Sequence, residues 1–315
     1  MWRLVMRRIR RWGGLLGWCA CSLQPLQADP GIRVGLSVPS SRQMFFRALL
    51  DGAQHYAAQA HGHLQLIVAP AAISAEASAQ VDGIRYLLRA QVQALVVDPL
   101  ETAPLLPVLQ AALQQGVRVI NVDNKLDARL LADNGLLIPY VGPGNYRGAT
   151  LVADYLLQRL APGSLVGIID GPLETINNRA RREAFIDAIR RHQLRLAAVE
   201  EGRWDVISGQ AAARQLLQQY PQIQALLCAN DMMAIGAQLV AAGHPHRVLI
   251  SGYDNVPEVH LALQKGDVLA TVDQHPAQQI GSALALAMQA VNQQQSQDSL
   301  PGIVQTPVGL VIHEP

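Results

Sequence analysis

The chain has 315 residues, half of them hydrophobic, which is enough for one large core or two ordinary ones. With 25 basic and 24 acidic residues the formal net charge is +1, and nothing in that balance describes a nucleic-acid surface. The three cysteines, at 19, 21 and 228, form no metal-ligand cluster in the sequence.

Residues 1–28 differ from the rest. Arg3, Arg7, Arg8, Arg10 and Arg11 precede an apolar, charge-free run over 12–23, followed by a small residue, Ala28, before Asp29-Pro30. A basic segment, a short apolar one and a small residue describe a secretory signal removed near Ala28. The run is too short for an ordinary membrane span. The expected location of the mature protein is the periplasm. Cleavage leaves Cys228 alone, a small hydrophobe at the end of an apolar strand.

From residue 32 the pattern alternates. Strands are expected over 32–38, 64–69, 94–98 and 117–123, with helices over 43–61, 75–89 and 104–115 between them. That order implies a parallel sheet with helices on both faces. Residues 124–137 break the rhythm with charges and no clear period. After 138–141 and the Gly142-Pro143-Gly144 turn a second series begins. Its helices are expected over 146–160, 178–192, 208–220, 231–242 and 256–264, its strands over 165–169, 196–200, 225–229, 248–252 and 269–272. A helix over 277–292, a polar stretch and an apolar segment over 308–313 follow. The fold class is α/β, with two similar Rossmann-like lobes of parallel sheet facing each other across a cleft.

Two tandem strand–turn–helix units, within 223–259, carry Asn230 and Asp254 at equivalent points. In parallel sheets ligands bind beyond the carboxyl ends of the strands, so both residues belong to one crevice. Helix capping is the alternative role for such residues, and Asp231 in particular reads as a cap.

Enzyme motifs are missing. There is no G-x-x-x-x-G-K-[ST], no G-x-G-x-x-G after a strand, no G-x-S-x-G and no H-E-x-x-H. No histidine pair has metal-ligand spacing on one helix, and His244 and His246 read as an exposed turn. Neither a catalytic activity nor a metal or cofactor is expected.

What remains is a set of polar and aromatic residues at strand ends: Phe45 and Phe46, Asp98, Asp123, Arg179, Trp204, Asn230, Asp254 and Gln274. Carboxylate, amide and guanidinium groups bracketed by flat rings suit a polyhydroxylated ring. Hydroxyls donate and accept, charged groups make the stronger bonds, and aromatic faces cover the C–H face. Singly, each has an ordinary structural reading: Phe45 as core, Arg179 as a surface helix residue, Trp204 as a loop anchor.

In this order these residues resemble the periplasmic sugar-binding proteins of ABC transporters, of the ribose/galactose type. The resemblance covers about 32–311. It is carried by Phe45-Phe46-x4-Asp51-Gly52, Val119-Ile120-Asn121-Val122-Asp123, Asn178-Arg179 with Phe185 after it, Ala229-Asn230-Asp231-x-Met233-Ala234-Ile235-Gly236, Gly252-Tyr253-Asp254 and Ala270-Thr271-Val272-x-Gln274 before Gln279-Ile280-Gly281. It implies that Asp123, Arg179, Asn230, Asp254 and Gln274 hydrogen-bond sugar hydroxyls and that Phe46 and Trp204 sandwich the ring. It also implies three hinge crossings, with a first lobe of 30–141 plus 275–306 and a second of 142–274 plus 307–315. The expected partners are a sugar or polyol and the membrane subunits of an ABC permease, with no nucleic acid, and the protein is expected to be a monomer.

Some positions depart from the ribose-type pattern. Arg42 and Asp98 stand where asparagines are usual, Asn124 where an arginine is, and Gly142-Pro143-Gly144 replaces a Ser-Asp turn. Arg42 either pairs with Asp98 or meets a carboxylate on a sugar acid. The internal pair is the preferred reading, because Asp123 and Asp254 would repel an acid. A sensory ligand-binding subunit for a chemoreceptor or sensor kinase is the alternative function. A regulator would need a basic helix-turn-helix of about 50 residues before the first lobe, where the leader stands.

Overall fold

The computed structural model describes residues 31–39, 44–70 and 76–312; the leader 1–28 and Arg42 lie outside them. The first series runs β1 (Ile32–Ser37), α1 (Met44–Gln59), β2 (Leu64–Val68), α2 (Ala77–Arg89), β3 (Ala94–Val97), α3 (Leu106–Gln114), β4 (Arg118–Val122), α4 (Ala128–Asp133) and β5 (Tyr140–Pro143). The second runs α5 (Asn145–Leu157), β6 (Leu165–Asp170), α6 (Ile176–Arg191), β7 (Arg195–Glu201), α7 (Val206–Gln219), β8 (Ile223–Cys228), α8 (Asp231–Ala241), β9 (Leu249–Ser251), α9 (His260–Lys265) and β10 (Ala270–Asp273). The chain finishes with α10 (Pro276–Asn292), β11 (Ile303–Thr306) and β12 (Gly309–Ile312).

These strands form two six-stranded sheets among the described residues, ordered β2-β1-β3-β4-β5-β11 and β7-β6-β8-β9-β10-β12. Every pairing is parallel except β10 with β12. The continuous apolar runs follow from burial on both faces. In β3, Leu95 and Val97 join the core formed with α2 and α3, whereas Ala94 and Val96 join the core formed with α1 and α10. All four side chains are fully buried, each Leu or Val contributing about 1.5–3 kcal/mol. Cys228 is buried in the core of the second lobe, as its apolar context requires, and burial pushes its thiol up.

The chain passes between the sheets three times. From β5 it enters α5, which packs on β9 and β10; from β10 it enters α10, which packs back on β3 and β4; and β11 leads into β12. Both sheets therefore have their strand carboxyl ends close to these crossings.

Four local expectations need correction. Residues 124–137 contain α4, six residues long and too short to show a period, started by Asp127, whose Oδ1 accepts from the N–H groups of Arg129 and Leu130. Residues 303–306 form a strand that paired polar and apolar residues did not announce. Gly142-Pro143, expected as a turn, ends β5, where Pro143 pairs with Thr306. The helix expected over 256–264 opens instead with a 3-10 turn at Pro257–Val259, and α9 stops at Gly266 with φ 71°, a left-handed conformation suited to glycine. No helix among the described residues is long and apolar enough to cross a membrane.

Candidate ligand-binding site

Two aspartates stand at the carboxyl ends of strands, one on each lobe, and both have left-handed backbones. Asp123 directly follows β4 with φ 57°, and Asp254 follows β9 with φ 116°. Asp tolerates this region better than most residues. Such conformations still cost about 1–3 kcal/mol and collect at functional sites, where the surrounding structure enforces them.

On the second lobe the enforcement comes through Arg181, only 4% exposed. Its Nε donates to Oδ1 of Asn145 at 2.8 Å and its Nη1 to the carbonyl of Ala229 at 2.8 Å. Nη1 also reaches Oδ1 of Asp254 at 3.4 Å, and Nη2 reaches Oε1 of Gln274 at 3.2 Å. Gln274 Nε2 closes the ring by donating to Oδ1 of Asp254 at 2.5 Å. The guanidinium lies 3.7 Å from the ring centre of Tyr253 and 5.7 Å from that of Trp204. Burial pushes the Asp254 carboxyl up to about 7, although Arg181 pulls the other way. The group fixes geometry more than it stabilises the fold, because desolvation offsets much of the attraction of a buried ion pair.

On the first lobe Asp123 accepts from Gln279 Nε2 at Oδ1 (3.0 Å), and its carbonyl accepts from Tyr140 Oη (2.8 Å). Burial raises its carboxyl too. Phe45 and Phe46 meet edge to face, with ring centres 5.9 Å apart. Asp98 stands one layer behind: fully buried, it accepts the backbone N–H of Asn124 at 3.2 Å, and burial, with the Asp123 charge adding, pushes its carboxyl well up.

Trp204 sits in a loop where Arg203 and Trp204 have φ of 49° and 65°. Its indole lies against Gly171, where a Cβ would fall 2.1 Å from Cζ2, so any larger residue would displace the ring. Asn178 holds that glycine at both ends. Its Oδ1 accepts the Gly171 N–H at 2.7 Å, and its Nδ2 donates to the Gly171 carbonyl at 2.8 Å. Asn230 is the cap of α8, its Oδ1 accepting the Met233 N–H at 2.9 Å, while its Nδ2 donates to the Trp204 carbonyl at 3.3 Å. Asp231, expected as the cap, is instead buried, its carboxylate accepting from Thr271 Oγ1 (2.5 Å) and the Val256 N–H (2.9 Å).

Phe46, Asp123, Trp204, Asn230, Asp254 and Gln274 line one cavity of about 110 Å³, together with Phe45, Asn177 and Arg181. Its size suits a single small ring, well below the roughly 300–1,000 Å³ of drug-sized sites. Two candidates are not brought to the lining: Asp98 supports Asn124 from behind, and Arg179 is exposed. The cluster's arginine is Arg181. On α6, Asn177 and Arg181 stand one turn apart on the cleft face, and Arg179, two residues from each, points roughly 200° away. The signal was present in the sequence, since Arg181 falls on one stripe with Ala184, Phe185 and Ala188, all buried. Asn177, Gln279 and Asn145 were also missed as site supports, being amides without a distinguishing neighbour.

The chain is similar to known proteins over most of its length. A model of the periplasmic binding protein domain matches residues 34–295. The D-ribose/D-allose-binding protein of Pseudomonas aeruginosa is 34% identical over 281 residues, covering 89% of this chain and 88% of that protein. Among solved structures, an ABC transporter solute-binding protein from Burkholderia multivorans, its unknown ligand built as alpha-D-erythrofuranose, is 34% identical with a TM-score of 0.85. It covers 90% of this chain and all of that one. A periplasmic solute-binding protein of an ABC transporter from Actinobacillus succinogenes, with bound D-allose, is 26% identical with a TM-score of 0.83, covering 90% and 98% of the two chains.

Proposed function

The chain belongs to the periplasmic binding protein family, and from that premise we propose that it captures an uncharged monosaccharide or related polyol between its two lobes and delivers it to an ABC permease. The observation that carries the reading is the meeting of Asp123 and Phe46 from one lobe with Arg181, Asp254, Gln274 and Trp204 from the other around one small cavity. Carboxylates, amides and a guanidinium answer hydroxyls, and the flat rings answer the C–H faces. The relatives named for D-ribose and D-allose support an aldose of that kind.

Charge argues against an acid. Arg181 is already engaged by Asp254, so a carboxylate entering the cavity would meet Asp123 without a free cation among the described lining residues. The lobes are residues 30–141 plus 275–306 and 142–274 plus 307–315, hinged at the three crossings. A ligand touching both favours the closed arrangement. The protein works as a periplasmic monomer after removal of the leader near Ala28, binding without chemical turnover.

A thermal-shift panel of D-ribose, D-allose, myo-inositol and D-glucuronate tests this. An aldose with micromolar Kd, about −8 kcal/mol, stabilises by about 3 kcal/mol at a hundredfold excess over Kd. D-glucuronate gives no shift. If none of the neutral compounds raises the melting temperature, and none is retained in equilibrium dialysis, the sugar reading falls.

A further inference from the structure

Beside the sugar cavity lies a second one of about 210 Å³, and the two share Leu100, Asn124 and Thr175 as lining. Like the first it draws on both lobes, with Ala103 and Leu130 from one and Glu174 and Ile176 from the other. The shared edge is held in place. Asn124 donates its N–H to Asp98 at 3.2 Å, its carbonyl accepts from Asn121 Nδ2 at 2.7 Å, and its Oδ1 accepts from Asn177 Nδ2 at 3.1 Å. A short residue held at its N–H, its carbonyl and its side-chain oxygen does not swing to seal one cavity from the other.

The chemistry of the second cavity differs from the first. Leu100, Ala103, Leu130 and Ile176 give it apolar walls. Three acidic residues, Glu101, Asp127 and Glu174, line it against one basic residue, Lys125, whose ammonium lies 5.5 Å from the ring centre of Tyr140. Neither Glu101 nor Glu174 forms an ion pair with a described residue, and both are exposed. Hydrocarbon is accommodated there and negative charge is repelled.

We propose that the ligand is a substituted sugar, its ring in the first cavity and a short neutral or cationic substituent in the second. This rests on the sugar reading above and narrows its substrate class. Burying two or three methylenes against those walls is worth about tenfold in affinity after ordering costs.

Calorimetric titration of the full chain tests it, using D-ribose and D-allose and their mono-O-propyl, O-(2-aminoethyl) and O-carboxymethyl ethers at each hydroxyl. At least one position isomer of the propyl or aminoethyl series should bind about tenfold tighter than its parent, with its carboxymethyl counterpart at least tenfold weaker than the aminoethyl compound. Ala103→Trp fills the second cavity from an exposed position and should return that derivative to the parent's affinity while the parent is unchanged. Glu174→Lys should remove the preference for the aminoethyl over the carboxymethyl ether. If every derivative binds more weakly than its parent, or the gain survives both variants, the proposal is overturned with the sugar reading intact. If neither D-ribose nor D-allose nor any derivative binds, both fall together.

Discussion

The side-chain amide of Asn177 donates to Oδ1 of Asn124 at 3.1 Å and to the backbone carbonyl of Asp123 at 3.2 Å, joining helix α6 of the second lobe directly to the first. These bonds exist only when the lobes are together. They add to the ligand's own contacts in favouring closure.

Asn177→Ala should therefore weaken sugar binding by about 1–2 kcal/mol, the worth of one or two hydrogen bonds. The melting temperature without ligand should barely move, since the residue joins lobes rather than filling a core. Titration calorimetry paired with small-angle scattering checks this. An unchanged affinity would mean that the ligand alone holds the lobes closed.

Replacing the two neighbouring arginines separates their roles. Arg181→Ala removes the partner of Asp254 and Gln274 and leaves buried polar groups unmatched, so a loss of about 3–5 kcal/mol of stability is expected, and with it binding. Arg179→Ala should leave both within about 0.5 kcal/mol. Asp254→Ala, tested by binding on a folded variant, should cost about 2 kcal/mol of affinity. Denaturant melts and titrations of the three variants decide whether the cluster is read correctly.

Gly171→Ala should push the indole of Trp204 out of its seat, because the new methyl would lie 2.1 Å from Cζ2. In a chain carrying W2F, W12F and W18F, Trp204 is the sole tryptophan and its emission reports the site. Sugar should change that emission in the parent. The alanine variant should show altered emission without ligand and an affinity lower by about 1 kcal/mol or more, the scale of a lost ring contact. Identical spectra would place the indole elsewhere.

Much of this arrangement was legible beforehand. The apolar runs ending in Asp98, Asp123, Asn230 and Asp254 marked the strand ends, because a strand buried on both faces has no other composition available. Capping was harder to assign. Asn230 and Asp231 are adjacent and chemically equivalent as caps, and the choice depends on where Thr271 and the Val256 N–H come to lie, which is a tertiary matter. Arg181 was hidden because the resemblance pointed to Arg179, which lies two residues earlier and about 200° round the same helix. The α4 helix escaped because a single turn and a half has too few residues to reveal a period.

Acidity gives a fourth test. The Asp254 carboxyl stands at about 7 in the folded protein, raised by burial, and those of Asp98 and Asp123 move the same way. An unfolded aspartate titrates near ~3.9. Between those values the native state binds more protons than the unfolded one, so stability falls as pH rises from about 4 to about 7. The melting temperature of the unliganded protein should decline from pH 5 to pH 7.5, by about 2–4 °C for each kcal/mol lost, and Asp254→Asn should flatten part of that slope. Sugar affinity should move oppositely, strengthening as Asp254 ionises and becomes the better acceptor.

The exchange of segments between the sheets also orders events in time. The first core is unfinished without Ile280, Ala283, Leu284 and Ala287 of α10, and its sheet lacks an edge until β11 is added. The second sheet waits for β12 to cover β10. During synthesis the first half cannot mature before residues 276–306 are made, whereas the buried core of the second is drawn from 149–272, so the usual sequence, in which an amino-terminal domain folds while the rest is still being made, does not apply. In a nascent chain halted before residue 276 the first half should remain open to proteases, gaining resistance once residues 276–306 are free, while the second half is already more resistant.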